Sequence, residues 1–128
     1  MITEDYVSFE TAKLLKEKGF DEKCFALYNP NGTLIQSGIR LNNTQVGRVE
    51  GSYSAPTLQM AMKWLREVHK LFIQVTIVPH TTITMEQKYF LFLIHKDRRR
   101  LRLDDTPKFT TYEEACEAAI KYCLENLI

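Results

Sequence analysis

The residues best suited to chemistry are a run of bases, Lys96-Asp97-Arg98-Arg99-Arg100-Leu101-Arg102. Seven positions hold five bases and one acid, so the segment carries +4 and the other residues −3, within a whole-chain charge of +1. Guanidinium groups neutralise phosphate and grip it bidentately, so Lys96, Arg98, Arg99, Arg100 and Arg102 form a candidate nucleic-acid-binding set. The competing use is a solvated hairpin arm or intramolecular pairing. Glu113, Glu114, Glu117 and Glu125 stand against Lys121 in the last segment and offer acidic partners. A protein partner is the third use. No aromatic residue interrupts the basic run, although Tyr89, Phe90 and Phe92 precede it; if buried, they make no base-stacking platform.

The other reactive side chains are sparse. His69, His80 and His95 fall in separate segments and lack HExxH, CxxC or H-x₃-H spacing, so the sequence implies no metal site. Cys116 and Cys123 are seven apart on a helical pattern with Ala119 and Ile120 between them, the composition of a core stripe. Cys24 opens an apolar segment and reads the same way. The Asp104-Asp105 pair beside Thr106-Pro107 reads as turn chemistry. There is no GxSxG, P-loop or GxGxxG, so no catalytic residue and no cofactor is expected. An enzyme finds little support here.

One further surface stands out. Leu58, Met62 and Leu65 make an inward stripe on a helical pattern, leaving Met60 and Trp64 at its edge. Aromatic residues and Met are enriched at interfaces, so Met60 and Trp64 are candidate interface anchors, with core packing of the indole as the alternative.

Three helices and two hairpins must position these groups. Ser8 caps a helix with Phe9, Ala12 and Leu15 on one face, and Gly19 stops it. Cys24–Tyr28, the turn Asn29-Pro30-Asn31-Gly32 and Thr33–Ser37 form a hairpin. Residues 38–54 are either a mobile functional loop or hide a short strand around Val46–Val49. Ser54-Ala55-Pro56-Thr57 starts a second helix. After His69, Ile73, Val75 and Ile77 alternate with Gln74 and Thr76 as in a strand with one wet face. Tyr89–Ile94 are six consecutive apolar residues, expected as a strand buried on both faces and therefore covered by a third helix or another subunit. Leu101 and Leu103 alternate with arginine and suggest a fifth strand. Thr110 or Thr111 with Glu113 or Glu114 caps a last helix reaching about Asn126. The expectation is a single α+β domain over residues 1–128, in helix–hairpin–helix–hairpin–helix order, with an antiparallel sheet of four to five strands packed against three helices.

A length of 128 residues, 45% hydrophobic content and 26% charged content suit one ordinary globular domain. The near-neutral balance excludes a uniformly basic nucleic-acid scaffold and an acidic mimic of one. The opening residues carry no basic or apolar leader, and no apolar run approaches the ~20 residues of a membrane span. A cytoplasmic protein with reduced thiols and no membrane association is expected. The sequons at Asn31 and Asn42 read accordingly as turn residues.

Ser54-Ala55-Pro56-Thr57 with Trp64-Leu65-Arg66-Glu67-Val68-His69, and Thr111-Tyr112-Glu113-Glu114-Ala115-Cys116-Glu117-Ala118-Ala119, resemble small uncharacterised proteins of prophages and mobile elements in Bacteroides-type bacteria. The opening Tyr6–Leu15 and the Tyr28–Gly32 turn agree with that pattern. The resemblance implies a bacterial or phage origin and brings no activity or site residue with it. The expected function is therefore non-catalytic: a phage or mobile-element accessory protein acting by protein–protein interaction or homodimerisation. The alternative is nucleic-acid binding through residues 96–102.

Overall fold

The computed structural model describes residues 2–79, 88–101 and 108–128. Its elements are α1 (Phe9–Glu17), β1 (Cys24–Tyr28), β2 (Leu34–Leu41), α2 (Asn43–Val46), β3 (Tyr53–Ser54), α3 (Leu58–His69), β4 (Phe72–Pro79), β5 (Lys88–Lys96), β6 (Arg99–Leu101) and α4 (Tyr112–Asn126). The fold is α+β, as the alternation of periods predicts.

Local chemistry sets the helix ends. The Ser8 hydroxyl accepts the Thr11 N–H at the start of α1. At its end, the Phe20 N–H donates to Leu15 and the Gly19 N–H to Lys16. That pair of bonds requires a left-handed residue, and Gly19 supplies it at φ +95°. Thr57 and Thr111 cap α3 and α4 in the same way as Ser8. Lys70 closes α3 in the left-handed region at φ 56°, a place where a side chain is strained.

The strands divide into two antiparallel sheets, ordered β2-β1-β3 and β4-β5-β6, and not into one sheet of four to five strands. Residues 42–54 complete the first sheet. Asn42 and Gln45 form a reciprocal capping box around the single turn of α2. The chain then returns along β1, pairing Leu27 with Ser54 and Tyr28 with Tyr53. Two residues are too few to show alternation in a sequence, and they complete the first sheet at the second edge of β1. The segment thus holds a helical turn and a strand at 53–54, and no strand at Val46–Val49.

The three long helices share one core with both sheets. Leu15, Phe20, Leu65, Leu71, Ile94, Ile120 and Leu124 are all fully enclosed, and α4 touches α1, α3, β4 and β5. Strand β5 alternates: Phe92 and Ile94 are buried against the helices, whereas Tyr89, Leu91 and Leu93 on the other face are half-buried. The expectation of complete burial on both faces is corrected accordingly. Among the described residues, no helix is long and apolar enough to cross a membrane.

Candidate functional site

Strand β5 connects the places where function can be sought. At one end it enters a two-residue turn to β6, with Lys96 paired to Arg99 across it. Asp97 and Arg98 both take positive φ, 51° and 63°, as the tightest hairpin turn requires. The turn throws its bases outward. Arg98, Arg99 and Arg100 are exposed, and Lys96 is half-buried. Among the described residues, none of the four has a carboxylate within ion-pair distance. The acidic face of α4 engages other groups: Lys121 meets Glu10 of α1 at 2.7 Å and Glu125 at 4.0 Å. The Lys121 ammonium holds the Glu10 carboxyl below the ordinary carboxylate range. Arg102, the fifth base of the run, lies outside the described residues, as do His80 and the Asp104-Asp105 pair.

The outward face of the second sheet is built from alternate residues. The register aligns Phe72 with His95 and then Arg100, Gln74 with Leu93, Thr76 with Leu91, and Val78 with Tyr89. Phe72 is 47% exposed, His95 bonds Gln74 at 3.1 Å, and the Lys108 ammonium lies 5.5 Å from the centre of the Tyr89 ring. The aromatics preceding the basic run therefore separate. Phe90 and Phe92 face the helices, with Phe92 stacked 6.2 Å from Phe109, while Tyr89 faces outward.

At the other end of β5, Phe90 forms a bridge with Phe109. Here a groove of about 740 Å³ opens between the N-terminal segment, the first hairpin and the start of α4. Tyr28, Leu34, Leu58 and Phe109 supply its apolar surface, and Glu4, Asp5, Glu113 and Glu114 its acidic border. One wall is fixed by Glu117, which sits at the N-terminus of α1. Its carboxylate accepts the Ser8 N–H at 3.2 Å and the hydroxyls of both Ser8 and Thr11. An anion there satisfies orphan donors and suits the helix dipole. Glu117 and Asn43 are the polar anchors that sequence reading missed. Asn43 is buried, donating to Phe20 O at 2.7 Å and accepting from Ser54 N at 2.8 Å. Glu117 follows Ala115-Cys116 in an ordinary helical pattern, and only its proximity to Ser8 reveals its use.

The remaining candidates are interior. Trp64 is buried, edge-on to Phe20 at 5.4 Å and to His69 at 4.8 Å. Met60 is half-buried beside it, and both border a shallow depression with Glu22, Lys63 and Val68. His69 Nε2 is buried without a hydrogen-bond partner. Burial, then the nearby Lys96 charge, lowers the His69 pKa. Cys24, Cys116 and Cys123 are buried free thiols. Desolvation pushes Cys24 and Cys123 up to about 12 and raises Cys116 as well, which suppresses the nucleophilic thiolate in all three. Among the described residues, no group of three or more His, Cys, Asp or Glu is placed to hold a metal ion.

The described surface carries a sheet face with an apolar row, a cationic turn and an acid-bordered groove. No protein family, curated protein or solved structure matches the chain.

Proposed function

We propose that this chain is a small non-catalytic protein that acts by association, and that it forms a homodimer through the outward face of the β4-β5-β6 sheet. The observation that carries the reading is the half-covered row Tyr89, Leu91 and Leu93 beside Phe72, on a face opposite the helices. Covering such a face removes apolar surface from water at roughly 25 cal/mol per Å². A second copy is a suitable cover because a two-fold axis lying between the two faces and perpendicular to the strands stacks them face to face with the strands antiparallel. The two basic turns then lie at opposite ends of the interface and do not repel each other. The sequence resemblance to prophage and mobile-element proteins supports an accessory role for a cytoplasmic protein of bacterial or phage origin. Sedimentation velocity tests the reading. The wild type sediments as a dimer at micromolar concentration, and the Leu91→Glu/Leu93→Glu variant as a folded monomer. A wild-type monomer overturns it.

A second reading is favoured by the cross-strand row Phe72, His95 and Arg100, which sets an exposed ring and a guanidinium on one face, on either side of the His95 imidazole. We propose single-stranded nucleic acid as the alternative partner of that row and the adjoining turn, through stacking and phosphate contact. It predicts a gel shift at low salt that disappears with Arg98→Gln/Arg99→Gln/Arg100→Gln. The absence of any shift for the wild type ends it.

A further inference from the structure

We infer that the acid-bordered groove receives the basic β5–β6 turn of a second copy, a head-to-tail contact that does not use the Tyr89-Leu91-Leu93 row of the sheet face. The two surfaces are opposite in charge: Glu4, Asp5, Glu113 and Glu114 border the groove beside one lining cation, Lys121, which Glu10 already engages. Glu4, Asp5 and Glu113 border the groove without a cation partner among the described residues. The turn presents Arg98, Arg99 and Arg100, likewise without a carboxylate among those residues. Its ribbon is narrow there, since Lys96 and Arg99 lie one register position beyond the start of β4 at Phe72. A guanidinium carried on an aliphatic stem suits this groove, the stem lying against Leu34, Leu58 and Phe109 while the head reaches the carboxylates.

A turn cannot enter the groove of its own chain. The Phe90–Phe109 bridge fixes the groove at register position 90, and the extended strand from there to Lys96 holds the turn roughly 20 Å away. Only another molecule can bring the two together. Because donor and acceptor surfaces differ, the contact is heterologous, and it propagates unless the rotation closes a ring. The whole-chain charge of +1 adds little general repulsion against such assembly.

The test is sedimentation velocity at about 0.02 M and about 0.5 M salt, a range that spans weak to strong screening. Three proteins are compared: wild type, a groove-neutral variant (Glu4→Gln/Asp5→Asn/Glu113→Gln) and a turn-neutral variant (Arg98→Gln/Arg99→Gln/Arg100→Gln). Circular dichroism confirms that each is folded. The wild type is expected to form larger species at low salt, with association weakened at least on the order of tenfold at high salt. Each variant alone sediments alike at both salts, and their equimolar mixture regains the salt-sensitive increase because one intact groove meets one intact turn. Three results overturn the inference: salt-independent sedimentation of the wild type, persistence of the larger species in either variant, or a mixture that behaves as its components do. Loss of the sheet-face dimer leaves this test readable, since that contact is apolar and survives high salt. A wild type that captures a free arginine-rich peptide but never itself also overturns the inference, because the occupant is then another protein.

Discussion

Replacing Glu117 by Ala removes the anchor that joins α4 to the start of α1. Three donors lose their acceptor: the Ser8 N–H, the Ser8 hydroxyl and the Thr11 hydroxyl. Hydrogen bonds to a charged group each contribute about 1.5–3 kcal/mol, and an anion at a helix N-terminus about 0.3–1 kcal/mol. The Ser8 bonds are solvent-accessible, so water replaces much of what they contribute, whereas Thr11 is fully buried. A net loss of about 2 kcal/mol follows, or roughly 7 °C in Tm for a domain of this size. Urea denaturation followed by far-UV circular dichroism measures it directly. Glu117→Gln keeps one acceptor oxygen and loses the charge, so about half the effect is expected. Glu125→Ala is the control: an exposed i,i+4 partner 4.0 Å from Lys121, worth about 0.5 kcal/mol or less. A Glu117→Ala loss below about 0.5 kcal/mol, or one no larger than the control, refutes the reasoning. So does a double-mutant cycle with Thr11→Val that shows no coupling.

Asn43→Leu leaves the Phe20 carbonyl and the Ser54 N–H buried without partners; a loss of about 2–4 kcal/mol is expected in chemical denaturation. Lys70→Gly relieves a left-handed non-glycine residue at the end of α3 and should raise stability by about 1 kcal/mol in the same assay. Asp21 accepts both the hydroxyl and the N–H of Thr44 at 2.8 Å, and these bonds lower its pKa from the ordinary 3.8. Its contribution is therefore complete above that value and is lost as pH falls through the lowered folded-state pKa. Asp21→Asn should flatten the acid limb of the stability–pH profile, and an unchanged limb contradicts the assignment. His69 has the same sign of dependence at a higher pH. Its pKa is lowered from 6.5, so stability declines as pH falls below that value, and His69→Phe should reduce the decline in a pH series of thermal melts.

Residues whose role is set within a few positions were legible in the sequence. Ser8, Gly19, Thr57 and Thr111 mark helix ends through backbone bonds to near neighbours. The stripe through Cys116, Ala119, Ile120 and Cys123 follows from helical period alone, and all four are fully buried. What could not be read depends on chain crossings. Strand β3 is two residues held by pairing to β1, and the division of the strands into two sheets depends on pairings between distant segments. The half-covered state of Leu91 and Leu93 depends on which elements reach that face, whereas Phe92 and Ile94 in the same apolar run are buried. The candidate surfaces divide in the same way. The basic turn was visible as composition, but the groove joins residues near positions 5, 28, 58 and 113, a convergence that no local pattern contains. Core packing of the Trp64 indole was among the readings its place at the edge of the helical stripe allowed, and the bend of the chain at Gly19 brings Phe20 against it.

The measurement that bears most directly on association as the mode of action is the mass of the protein in solution at micromolar concentration and about 0.5 M salt. Under those conditions charge contacts are screened and the apolar sheet face remains. A dimer that becomes a folded monomer in Leu91→Glu/Leu93→Glu is the expected result. A wild-type monomer, or a dimer indifferent to those two substitutions, contradicts it.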